Sequence, residues 1–212
     1  MKFAKVVLAA GGRGTRVAEV TGGVIPKGLS RLSRDLSRPL ISYQLEVIAK
    51  SGLTEVFISV EEPWQKVLLE QSIKIGELPA LNYTFGFHKW EHPLYTFFNA
   101  EVLSYLNGSD FFWCFGDLYY SSELIPNMIQ LAKRNNTSVA SMMYSTSSRW
   151  KDVEKFISFK KDNSGKILSS IRSEKPGFTL HSPFYFQGRA LESIKQELNN
   201  NPPHQLSLLK NL

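Results

Sequence analysis

Apolar and polar positions follow two rhythms along this chain, and the switches between them mark out its elements. Lys5 to Ala9 (KVVLA) is a short β-branched run entering AAGGRGTR, which predicts a buried strand and then a tight loop. Residues 17 to 38 carry no regular pattern. From Pro39, apolar residues at 40, 41, 45, 48 and 49 repeat at helical spacing until Gly52 stops them. Glu55 to Val60 alternates as a strand, Pro63 to Ser72 reads as a helix, Leu81 to Phe85 as a strand and Thr96 to Leu106 as a helix. Asp110 to Phe115 (DFFWCF) predicts a buried strand, and Ser122 to Arg134 a helix. Strand patterns follow over 138–144, 155–160, 166–172 and 183–187, with the turn Asp162-Asn163-Ser164-Gly165 joining the middle two. A helix over 189–198 closes the series.

Strands alternating with helices over the first 145 residues predict right-handed crossovers and a mostly parallel sheet covered on both faces. The later hairpin strands predict an antiparallel addition at one edge. The expected fold class is therefore α/β, a three-layer Rossmann-like sandwich on a mostly parallel mixed sheet, formed as a single domain over residues 1–212.

Composition narrows the setting. The chain has 212 residues, 42% hydrophobic and 21% charged, the balance of an ordinary soluble globular protein. No run approaches the roughly 18 apolar residues of a membrane helix, and MKFAKVVLAAGG turns into glycine too soon for a secretory leader. A cytoplasmic protein without a membrane partner is expected, and nothing in the sequence forbids a homo-oligomer. The single cysteine, Cys114, excludes an internal disulfide and lies in FFWCF, where a buried inert thiol is expected.

The formal net charge of +6 changes meaning once it is located. Residues 1 to 38 carry eight basic side chains against two acidic ones, and the rest of the chain is balanced at 17 of each. Six of those eight cations lie between Arg13 and Arg38, among glycine, serine and threonine. A local excess of this kind suits a polyphosphate; a nucleic-acid footprint would recruit cations from several elements. Arg31, Arg34 and Arg38 are spaced three and four apart, which fits an exposed basic face first and a phosphate contact second.

Ligands of such sheets sit at the carboxyl ends of the strands, so the loop after the first strand carries the first candidates. Gly11, Gly12 and Gly14 would let the backbone come close to a ligand and aim N–H groups at anionic oxygens, and Arg16 would add a cationic fork; Ala9, Ala10 and Thr15 join them as nucleotide-binding candidates. A tight strand-to-loop turn with incidental arginines remains the plain alternative. The loop is neither a dinucleotide fingerprint, because Val17 stands where the third glycine is needed, nor a Walker loop, because no Gly-Lys-Ser/Thr occurs. His88-Lys89-Trp90-Glu91-His92 has the H-x-x-E-H order of a zinc peptidase, but Pro93 follows at once and denies it the helix it needs.

The landmarks taken in order resemble a known family. Ala10 to Arg16 (A-G-G-x-G-T-R), Pro26-Lys27, Pro39-Leu40-Ile41, Phe115-Gly116-Asp117, Ser173-Glu174-Lys175-Pro176 and Ser182 to Phe186 together are similar to the sugar-1-phosphate nucleotidyltransferases. The last of these has Pro183 in place of the family's glycine. The resemblance covers residues 4 to 187 and implies a GT-A-like nucleotidyltransferase fold. It also implies a reaction in which the phosphate of a sugar 1-phosphate, or a similar phosphomonoester, attacks the α-phosphorus of a nucleoside triphosphate and pyrophosphate leaves. Arg16 would then grip the β- and γ-phosphates, Lys27 the α-phosphate region, Asp117 a Mg2+ ion, and Glu174 with Lys175 the sugar phosphate. Asp117 as a helix cap or strand end, and Glu174-Lys175 as a solvated turn, stand as the structural alternatives.

Three departures from the family bear on activity. Tyr95 and Phe98 stand where small residues admit the base, so the rings either stack on it or fill its slot. No aspartate follows Asp162, so the family's late second metal ligand, normally in a C-terminal segment, is not found; Glu192 is a poor substitute. The path from Lys27 to Pro39 is longer than usual and rich in serine and arginine. The rival expectation is thus a catalytically impaired nucleotide-binding or regulatory homologue.

Overall fold

The structure, a computed structural model, describes residues 4–11, 25, 27–31, 38–87, 99–134, 139–145, 157–161, 167–172 and 178–200. For 139–145, 157–161, 167–172, 178–181 and 197–200 only the backbone is described. Among the described residues there are eight strands and five helices, each where the patterning predicts one. The strands are β1 (Lys5–Ala9), β2 (Glu55–Val60), β3 (Asn82–Phe87), β4 (Phe111–Phe115), β5 (Val139–Ser145), β6 (Ile157–Lys161), β7 (Ile167–Arg172) and β8 (Phe178–Phe186). The helices are α1 (Leu40–Lys50), α2 (Pro63–Lys74), α3 (Ala100–Leu106), α4 (Leu124–Arg134) and α5 (Ala190–Asn200). A short 3-10 turn, Lys27–Leu29, stands in the stretch that carries no regular pattern.

All the strands join in one sheet of order β3-β2-β1-β4-β8-β6-β7, with β5 also paired to β8. The first four are parallel. Their centre is buried on both faces, which is why β1 reads as a continuous apolar run and does not alternate. On one face α1, α2 and α4 place Ile41, Leu45, Leu69, Ile125 and Met128 over Val6, Leu8, Ile58 and Phe112. On the other, α3 and α5 place Val102, Leu106, Leu191 and Ile194 over Val7, Phe57, Phe111 and Trp113. The chain thus winds outward from β1 along one face, then crosses the other face through α3 to lay β4 on the free side of β1. The winding reverses between β1 and β4, and in sheets of this kind the ligand crevice lies at that point, at the carboxyl ends of the strands.

The antiparallel strands are fastened to β4 by aromatic side chains. Across the β4–β8 pair the rings of Phe111 and Phe186 stack at 4.9 Å, Phe112 and Tyr185 meet at 5.0 Å, and Trp113 and Phe184 stack at 5.2 Å. Strand β8 starts at Phe178, five residues before its expected start at Pro183. Pro183 is carried inside the strand because the β5–β8 register shifts between Ser141 and Met142, which puts Pro183 in a bulge of β8, where the ladder asks for no N–H. Helix α3 begins at Ala100, later than the Thr96 of the pattern, because Asn99 Oδ1 accepts from the Val102 N–H at 2.8 Å and caps it. Residues 96–98 and the turn 162–165 lie outside the described residues. Among the described residues no helix is long and apolar enough to cross a membrane.

Two polar clasps hold the ends of β4. At its amino end Asp110 accepts from Gly188 N at 2.8 Å and from the Tyr185 hydroxyl at 2.7 Å, while its carbonyl accepts from Lys5 N at 2.8 Å. At its carboxyl end buried Ser182 Oγ accepts from Phe115 N at 3.0 Å and lies 2.7 Å from the Tyr120 hydroxyl. Replacing Ser182 by Ala is expected to destabilise the protein by about 1–3 kcal/mol, because it strands a buried N–H and hydroxyl; urea denaturation measures it. Gly188→Ala is expected to cost about as much, since a Cβ there would fall on the Gly108 carbonyl. In the same experiment Lys195→Ala, on the exposed side of α5, is expected to change stability by less than about 0.5 kcal/mol.

Candidate functional site at the β1–β4 crevice

The crevice is built from three backbone segments that close on one another. Strand β1 runs on past its last residue: Ala10 N donates to Ser59 O of β2 at 2.9 Å, and Ala9 O accepts from Gly116 N, just beyond β4, at 2.8 Å. Ala9, Ala10 and Gly11 are thereby fixed and buried at the crevice. Gly11 is held from the side as well, since Gln65 Nε2 of α2 donates to its carbonyl at 3.3 Å. The amide oxygen of the same glutamine accepts from Glu61 N at 2.8 Å and from Glu62 N at 3.1 Å, so one side chain joins the start of α2 to the end of β1.

The third segment is the 3-10 turn. Ser30 N donates to Lys27 O at 3.1 Å, and Leu40 N donates to Ser30 O at 2.9 Å, which ties the turn to the start of α1. Gly28 packs so closely that a Cβ would stand 2.9 Å from Gly116 O and 3.4 Å from Ile41 Cβ. A Cβ on Gly116 would in turn stand 3.1 Å from Ala9 O. Only glycine lets the turn and the strand ends approach this far.

That approach brings two predicted site residues together. Lys27 Nζ is ion-paired and hydrogen-bonded to Asp117 Oδ2. Both side chains remain partly open to solvent, 44% and 32% exposed, so an incoming anion or cation can reach either. The backbone under Asp117 does not share this freedom. Gln44 Nε2, from the buried face of α1, donates to Phe115 O at 2.8 Å, and Ser182 holds Phe115 N. Burial pushes the Tyr120 hydroxyl well above the usual tyrosine range, so it stays neutral beside Ser182.

The patterning of the sequence passes over Gln44, Gln65 and Ser182 as site residues. Each is fully or almost fully buried. The available signal is a polar side chain at an inward-facing position, as Gln44 is among Ile41, Leu45 and Ile48 of α1.

The remaining candidates divide in two. Gly12, Gly14, Thr15, Arg16, Tyr95, Glu174 and Lys175 lie outside the described residues, as do Phe98, Arg34 and residues 88–92. Among those described, Arg31 pairs with Glu77, and Arg38 pairs with Glu46 and lies 5.9 Å over the Tyr43 ring. The exposed-face reading fits these two arginines. Glu192 is exposed on α5 and 2.7 Å from Lys195. It also stands at the wrong end of the sheet, because β8 is antiparallel to β4 and delivers α5 to the amino end of β4. Cys114 is fully buried, and burial raises its thiol far above the ordinary range, which makes it no nucleophile.

Among the described site candidates, Asp117 is the carboxylate open to a cation. Among the described residues no group of three or more His, Cys, Asp or Glu could hold an ion. Asp117 fits Mg2+ of the kind that takes one or two carboxylates and completes its shell with substrate phosphates and water.

Comparison with known proteins agrees with this architecture. No curated protein sequence matches the chain. Among solved structures it is similar to HddC from Yersinia pseudotuberculosis in complex with GMP-PN, with a TM-score of 0.61, 20% identity, and 90% of this chain and 79% of that one covered. It is also similar to CMP:2-keto-3-deoxy-manno-octonic acid synthetase complexed with CTP, with a TM-score of 0.69, 14% identity, and 98% and 85% covered. These likenesses establish the GT-A-like nucleotidyltransferase fold. The family model for nucleotidyl transferases matches residues 5–182, which takes in β1, the 3-10 turn and Asp117 as well as Ser182, so the chain that closes its crevice in this way belongs to the nucleotidyl transferase family.

Proposed function

We propose that the protein joins a nucleoside triphosphate to a sugar 1-phosphate, or a similar phosphomonoester, giving a nucleoside diphosphate sugar and pyrophosphate. The observation that carries the reading is the meeting of Lys27 and Asp117 at the β1–β4 crevice, beside the backbone of Ala9 to Gly11. One side chain is a mobile cation for phosphate oxygens, and the other is a hard carboxylate for the cation that accompanies them. The titles of the similar structures support the substrate class, since HddC is bound to GMP-PN and the synthetase to CTP.

In this reading the acceptor's phosphate oxygen attacks the α-phosphorus and the pyrophosphate leaves with the bond electrons. The protein aligns two anions and neutralises the charge that builds between them, without a covalent intermediate. The N–H groups from Gly11 through Thr15 cradle the triphosphate, Arg16 takes its β- and γ-phosphates, and Lys27 spans the α-phosphate and the incoming oxygen. Tyr95 would bind the base, and Glu174 with Lys175 would bind the acceptor. Mg2+, when bound, screens the phosphates, and Asp117 is the residue that would hold it. The substrates are cytoplasmic metabolites, and the reading keeps the protein in that compartment.

The second reading, a relative that binds nucleotide without turnover, is favoured by one observation: among the described residues no group of three or more His, Cys, Asp or Glu stands ready for an ion. Incubation with each triphosphate, Mg2+ and a panel of sugar 1-phosphates separates the two. Pyrophosphate release is expected with at least one pair; a nucleotide that raises the melting temperature without any release would establish the binding reading. With an active pair, Lys27→Ala and Asp117→Asn are each expected to lower turnover by about 10²–10³-fold. Both positions are partly exposed, so thermal unfolding should be unchanged.

A further inference from the structure

The pairing of Lys27 with Asp117 has a consequence for how a divalent cation enters. Both backbones are fixed. The turn that carries Lys27 is closed by the Ser30 N–H and wedged at Gly28 against Gly116 O, and the strand end before Asp117 is held by Gln44, Ser182 and Ala9. Any exchange of partners therefore takes place in the side chains, chiefly in the four-carbon stem of Lys27. An ammonium and a divalent ion on one carboxylate repel each other, so the two compete for it.

We propose that Lys27 is a built-in competitor for the divalent cation: it occupies Asp117 in the free protein and yields the carboxylate when phosphate oxygens draw it away. Free cation alone then binds weakly, and the triphosphate and the cation load together. By linkage the help is mutual, because the ion that displaces Lys27 also frees it for the phosphate. The inference rests on the reading of Asp117 as the metal carboxylate.

Mn2+ serves as the probe, with binding to the full chain followed by electron paramagnetic resonance in the absence of nucleotide. Lys27→Met is expected to tighten Mn2+ binding about three- to tenfold, on the scale of a partly exposed ion pair together with the repulsion removed. Lys27→Arg keeps the charge and is expected to bind as weakly as the wild type. Asp117→Asn placed in the Lys27→Met background is expected to abolish the gain, and melting curves report that each variant is folded. If Mn2+ binding depends on Asp117 but Lys27→Met leaves it unchanged or weaker, the competition is overturned and the metal reading stands. If Asp117→Asn has no effect on Mn2+, or if Lys27→Met binds none, the metal reading falls and the competition with it.

Discussion

A close approach between backbones underlies the site. Gly28 and Gly116 leave little room for a Cβ between the 3-10 turn, the end of β4 and the end of β1. A Cβ at Gly28 would force the Gly116 carbonyl to shift, and one at Gly116 would push on the end of β1, each by tenths of an ångström. Lys27 and Asp117 are 90 residues apart in sequence, and they meet because each is the neighbour of one of these glycines. The contact is thus fixed by packing, and the charges act on a geometry that the backbone has already set.

The two ends of β4 are used differently, although both carry a polar clasp. At the amino end every group of Asp110 is turned inward to Gly188, Tyr185 and Lys5, which locks β8 and α5 against the sheet. At the carboxyl end Ser182 and Gln44 hold the backbone of Phe115 and leave the Asp117 carboxylate outside the clasp. The aromatic ladder between β4 and β8 lies between these ends, and it lets a parallel sheet accept an antiparallel strand without losing its core. Rigidity on one side and a partly open ion pair on the other follow from a single strand's position.

Most of the fold was legible because periodicity reports burial, and burial builds this sheet. Glu55–Val60 is found with both predicted ends, and Lys5–Ala9 likewise. The pattern fails where local structure overrides it: the Asn99 cap shortens α3, and a bulge that contains Pro183 lets β8 begin before it. For the candidate site, motif order picked out Lys27 and Asp117, which the structure brings together, and no local pattern relates positions so far apart. Gln44, Gln65 and Ser182 were not. Each works through a hydrogen bond to a distant main chain, and a one-dimensional pattern records only that a polar residue interrupts an apolar face.

The concentration of positive charge near the amino terminus shows why address outweighs count. Lys27, Arg31 and Arg38 belong to the same basic stretch, and each is paired with a carboxylate from another part of the chain. Exposed pairs of this kind contribute about 0–1 kcal/mol each, so none of the three is needed to hold the fold. Glu77 holds Arg31 at the connection after α2, and Glu46 holds Arg38 beside α1. Asp117 alone among the three partners follows a strand at the point where the winding of the sheet reverses, and there the same weak pairing becomes useful because it can be exchanged.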